Sequence, residues 1–91
     1  MNFAVPGRIA VSKAGHDKGK AFIVLARNED GTVLIADGKT RTALVPKRKK
    51  TMHLFITPVC AKEIKEKLES GTLPQDHEIR RALMDYNRHD D

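Results

Sequence analysis

The runs "AFIVLA", residues 21–26, and "VLIA", residues 33–36, are apolar at every position. Successive side chains of a strand point to opposite faces, so a strand wetted on one side alternates. These two do not alternate. Both of their faces must be covered, and that requirement constrains the whole chain.

The neighbouring segments supply the partners. "GRIAVS", residues 7–12, alternates, with Ile9 and Val11 on one side and Arg8 and Ala10 on the other. "NEDG", residues 28–31, is a turn, and Asp37-Gly38 marks a tight hairpin into a strand "TRTALV", residues 40–45. Pro46 stops that strand, the cluster "KRKK" follows at 47–50, and "HLFI", residues 53–56, reads as a short fifth strand. Four or five short strands with tight turns in roughly 55 residues suggest a small barrel. An isolated small barrel is polar outside. Here something must lie over it.

The second half provides that cover. Thr57 is a good N-cap, and Pro58 falls at the first helical position, where its missing N–H costs nothing. Cys60, Ile64 and Leu68 recur at i, i+4, i+8, with Glu63–Lys67 as an ion pair on the polar face and Gly71 as the residue closing the helix. A second helix is expected from Asp76 to Tyr86, with Ile79, Leu83 and Tyr86 on one face and "NRHDD" fraying beyond it. The predicted architecture is mainly β with α: a small barrel over residues 1–56 and a helical extension of the same domain over 57–91, packed outside it. At 91 residues there is little room for a second domain.

Charge is divided along the chain. Up to residue 53, eleven Lys and Arg face four Asp and Glu, a net +7; beyond it six face eight, a net −2. An anionic partner docking on the first half is the expectation. No leader pattern stands in "MNFAVPGRIAV", and no window approaches the ~18 apolar residues of a membrane span, so a cytoplasmic protein with no membrane partner is expected. Cys60 is the only cysteine, which leaves no internal disulfide, and its apolar surroundings suggest a buried structural thiol.

Catalysis finds little support. His16, His53, His77 and His89 fall in different predicted elements with no metal-ligand spacing, and Asp30, Asp37 and the helix acids read as turn or solvated residues. No nucleophile elbow, phosphate loop or dinucleotide fingerprint is present, so no enzyme, cofactor or metal is expected. The loop "KAGHDKGK" is different. Gly15 and Gly19 bracket "HDK" and can hold Lys13, His16, Lys18 and Lys20 outward on the barrel. Lys47, Arg48, Lys49 and Lys50 repel one another with no acid inside the run, which favours phosphate as their partner. Aromatics are few. Phe22, Phe55 and Tyr86 read as core and only Phe3 as free, so the chain is poorly equipped to stack bases and better suited to clamp phosphates of folded or double-stranded RNA.

The stretch "GRIAVSKAGHDKGKAFIVLA" resembles the KOW motif, in which a lysine- and glycine-bearing loop joins two apolar strands. Gly19 matches the motif's glycine and Lys18 the basic residue before it. With "VLIADGKTRTALVPKRKKTMHL" the chain resembles, over residues 5–55, bacterial KOW-domain RNA-binding proteins similar to the L14e/L6e/L27e group of large-subunit ribosomal proteins. The resemblance implies an SH3-like barrel and a ribonucleoprotein role in translation. It implies RNA contacts from Arg8, Lys13, His16, Lys18, Gly19, Lys20, Lys39, Arg41, Lys47, Arg48, Lys49, Lys50 and His53, with ribosomal RNA or the large subunit as partner. The helices lie outside the match and leave room for a protein partner. The alternative is a KOW module that binds RNA polymerase or a translation factor.

Overall fold

A computed structural model describes residues 3–88. Five strands, β1 (Arg8–Ser12), β2 (Ala21–Arg27), β3 (Thr32–Ala36), β4 (Lys47–Lys50) and β5 (Leu54–Cys60), form one antiparallel sheet in the order β4-β3-β2-β1-β5. A 3-10 turn, Thr51–His53, joins β4 to β5, and two helices follow, α1 (Lys62–Glu69) and α2 (Asp76–Arg88). The sheet is curled but not closed: β4 and β5 are its two edges.

The two-sided apolar runs do what their pattern requires. Phe22 and Val24 of β2 join Ala10, Val33, Ile35, Leu54 and Ile56 in one buried cluster on the concave face. Ile23 and Leu25, pointing the other way, join Ile9, Ala36 and Ala43 beneath Ile64 of α1 and Ile79 and Leu83 of α2. The sheet thus has a core on each face, and the helices supply the second. Irregular pairing at two places, between Val24 and Ala26 of β2 and between Arg8 and Ala10 of β1, accompanies the curl.

Helix ends follow local chemistry. After α1, the Gly71 N–H donates to the Leu68 carbonyl at 3.1 Å and the Thr72 N–H to Lys67 at 2.8 Å, so Gly71 closes the helix as the sequence predicts. At the start of α2 the Glu78 carboxylate accepts the Gln75 N–H at 2.9 Å. Its other partner is the Lys67 ammonium, at 2.6 and 2.7 Å. Lys67 therefore ties α1 to α2 rather than pairing with Glu63 on its own helix.

Four expectations are corrected. "TRTALV" is not a strand, because side chains outbid the ladder for its backbone. The Asp37 carboxylate takes the N–H groups of Lys39 and Arg41, each at 2.9 Å, and Thr42 Oγ1 takes that of Val45. Asp76 of α2 takes that of Ala43 at 2.8 Å. Gly38, at φ +79°, lies so close to α2 that a Cβ there would stand 2.5 Å from the Asp76 carbonyl.

The fourth strand is instead the basic run itself. Thr57 and Pro58 do not begin a helix either. They sit where β5 carries extra residues opposite β1, and the buried Thr57 hydroxyl donates to the Ile9 carbonyl at 2.7 Å. Pro58, with no N–H to lose, is suited to that edge strand. Cys60 consequently ends β5 and is half-buried, off the Ile64–Leu68 stripe of α1. Phe55, expected in the core, points outward between the buried Leu54 and Ile56. Of the expected frayed tail, Asn87 and Arg88 complete α2, and His89, Asp90 and Asp91 lie outside the described residues.

Candidate nucleic-acid interface

The loop between β1 and β2 is closed at its neck. The Ser12 N–H donates to the Lys20 carbonyl at 2.9 Å and the Gly19 N–H to the Ser12 carbonyl at 2.8 Å. Two further turns form inside it, from Lys18 N–H to Gly15 (3.2 Å) and Lys20 N–H to Asp17 (2.8 Å). Gly19 has φ +89°, a conformation other residues adopt only under strain.

Strand β4 holds this loop from beneath. Lys49, only 9% exposed, donates from Nζ to Ser12 Oγ at 2.8 Å and to the Ala14 carbonyl at 3.0 Å. Lys47 forms an ion pair with Asp17. The loop's outward side chains, Lys13, His16, Lys18 and Lys20, are exposed and belong to no ion pair among the described residues. Their display is fixed by buried bonds below. The Lys13 N–H also donates to the His53 carbonyl at 2.8 Å, which sets the exposed His53 beside the loop.

The basic run therefore divides. In β4, Lys47 and Lys49 lie opposite Ile35 and Val33 and turn to the concave side, their stems against apolar neighbours. Arg48 forms an ion pair with Asp30 and donates from Nε to Thr32 Oγ1 at 3.2 Å. Among the described residues only Lys50 of the run is exposed with no ion-pair partner. The expectation of four uncancelled charges is corrected: Asp17 and Asp30 approach from loops distant in sequence and pair with Lys47 and Arg48, while Lys49 is buried in hydrogen bonds to neutral groups.

Three other expected contacts lie apart or at the margin. Arg8, at the far end of β1 from the loop, pairs in register with Cys60. Lys39 and Arg41 follow β3 at the sheet end that also carries the loop, on the turn wrapped around Asp37. Sequence reasoning missed four exposed apolar side chains there: Leu44 and Val45 beyond the Asp37 turn, Met52 in the 3-10 turn and Phe55, 55% exposed, in β5. The run Leu54-Phe55-Ile56 is apolar at every position and held no such signal; only the place of β5 at the edge of the sheet shows that its middle residue points out.

Electrostatics reinforce the loop's anchorage. The hydrogen bond from Lys47, with added attraction from Lys47, Lys49 and Lys20, holds the Asp17 carboxyl below its ordinary value despite some burial. A depressed carboxyl contributes stability that is complete above the ordinary value of 3.8 and is lost as pH falls through the lowered one. Acid should therefore loosen this loop by breaking the Lys47 pair. NMR relaxation of the Ala14–Gly19 amides should show mobility rising in that acid window and not near neutrality; a loop equally rigid throughout would mean the pair does not anchor it.

Among the described residues no group of three His, Cys, Asp or Glu could hold a metal ion, and no helix is long and apolar enough to cross a membrane. The arrangement offers cations, donors and one exposed aromatic on a rigid edge. No family model matches the chain, and no curated protein matches it.

Proposed function

We propose that this chain is a non-catalytic RNA-binding protein of the ribosome, a KOW-type SH3-like barrel that grips phosphates of structured ribosomal RNA on the large subunit, in the cytoplasm. The strand order supports the barrel reading: β5 returns beside β1 after a 3-10 turn, so the curled sheet leaves one seam between β4 and β5. One observation carries the functional reading. Lys47 and Lys49 direct their ammonium groups to the loop and hold it, while the loop's own lysines are exposed and, among the described residues, outside any ion pair. A loop that needs only solubility has no use for such anchorage.

Among the described residues Lys13, Lys18, Lys20, Lys39, Arg41 and Lys50 are solvent-accessible cations without ion pairs. With about six phosphate contacts, affinity should fall on the order of a thousandfold between 50 and 200 mM salt. Sedimenting a lysate through low- and high-salt gradients tests the reading: the protein should travel with large subunits at low salt and leave them at high salt. A protein that stays at the top of the low-salt gradient overturns it.

A second reading, a module that binds RNA polymerase or a translation factor, is favoured by a groove of about 510 Å³ between α1, α2 and the end of β5, floored by Ile9, Ile64 and Tyr86. Salt-insensitive association with either partner would decide for it.

A further inference from the structure

Resting on the RNA-binding reading, we propose that Phe55 is a stacking platform for a single unpaired base, so that the RNA recognised is a helix interrupted by a bulged or flipped-out nucleotide. The ring sits on the convex face of β5, directly opposite Val11 of β1, which in turn lies opposite Ala21 of β2. The helices cover this face over Ile9, Ile23 and Leu25 but do not enclose Phe55 or Val11. The outcome is an aromatic ring on a rigid strand at the uncovered margin of the sheet.

Its surroundings say what would cover it. Lys13 is the first residue after β1, and its backbone bond to His53, two residues before Phe55, holds it beside the start of β5. Lys13 and His53 are joined backbone to backbone at 2.8 Å, and Met52, 72% exposed, precedes His53. Among the described residues neither Lys13 nor His53 has an ion pair. An apolar protein surface would have to desolvate them; a nucleotide offers a π face to the ring and a phosphate to the lysine together.

The number of platforms sets the kind of RNA. A protein that follows a single strand needs several exposed aromatics in a row. Among the described residues the other exposed phenylalanine, Phe3, is five residues before the start of β1, at the sheet end away from the loop, and has the Arg27 guanidinium 6.0 Å over its ring. One ring beside a cationic loop fits one displaced base next to a duplex backbone.

The test uses the full chain and two RNA hairpins identical except for one bulged adenosine. The wild-type protein should bind the bulged hairpin about tenfold more tightly than the fully paired one. Phe55→Leu, which keeps an apolar side chain but removes the π face, should bind both as the wild type binds the paired one. Phe55→Trp should retain the preference. Because the chain has no tryptophan, that variant's fluorescence reports on position 55 alone and should be quenched only by the bulged hairpin. Equal, salt-dependent binding of both hairpins by the wild type would overturn the stacking proposal and leave phosphate clamping standing, with Phe55 then free for a protein partner. No binding of either would overturn both.

Discussion

Replacing Lys13, Lys18 and Lys20 together by glutamine should weaken binding to a ribosomal RNA fragment on the order of a hundredfold at 0.1 M salt, and flatten its salt dependence by two to three phosphate contacts. All three side chains are exposed and, among the described residues, outside any ion pair, so the loss falls on the RNA and not on the fold. Lys50→Gln should remove about one contact from the slope. Lys47→Gln and Lys49→Met act differently. Their ammonium groups bond to Asp17, Ser12 and Ala14, so these variants should lower affinity by loosening the loop while leaving the salt slope unchanged.

The helical arginines are the control. Arg80 donates to the Gly38 carbonyl at 2.6 Å, whereas Arg81 and Arg88 are exposed on the acidic half of the chain. Arg81→Gln with Arg88→Gln should change RNA affinity little. Anisotropy titrations at several salt concentrations separate these cases. An equal loss from the helical pair would put the tail on the RNA surface, and a slope change from Lys47 or Lys49 would mean the run itself meets phosphate.

What the sequence made legible depended on contrast between neighbours. "AFIVLA" could be read because every position is apolar, and a strand with no polar face has only one physical solution. Gly71 and the Ile79–Leu83–Tyr86 stripe were legible for similar local reasons. "KRKK" was not, because alternation cannot be seen where every side chain is a cation; its inward pair appears only once Ile35 and Val33 are set opposite.

Elsewhere a distant partner overrode a local signal. Asp37-Gly38 has the chemistry of a hairpin, yet the segment after it bonds to Asp76, 33 residues from Ala43. Thr57-Pro58 has the chemistry of a helix start, yet the hydroxyl finds the Ile9 carbonyl, 48 residues away. The candidate site suffered in the same way: the loop cations were visible in sequence, but the anions that neutralise half of the basic run come from Asp17 and Asp30.

Ending the chain at Ala61, just past β5, is expected to unfold it. Ile9, Ile23 and Leu25 are at most 7% exposed, and the helices supply much of their cover. Baring three such side chains costs about 1.5–3 kcal/mol each. That sum approaches the lower end of the roughly 5–15 kcal/mol that holds a whole domain together. Unfolding by truncation could also reflect a chain cut too short, so a point variant separates the causes. Ile79, fully buried beneath α2, should cost about 2–5 kcal/mol on replacement by alanine. At this chain length that lowers Tm by at least ~10 °C. Arg81→Ala, on the exposed side of the same helix, should shift stability by no more than ~0.5 kcal/mol. Calorimetry on the two point variants and an NMR spectrum of the shortened chain decide the matter. A well-dispersed spectrum from residues 1–61, with Ile79→Ala as stable as the parent, would mean that the sheet needs no helical cover; the two-sided apolarity of β2 would then have no structural purpose, since the helices supply much of what shields Ile23 and Leu25 from water.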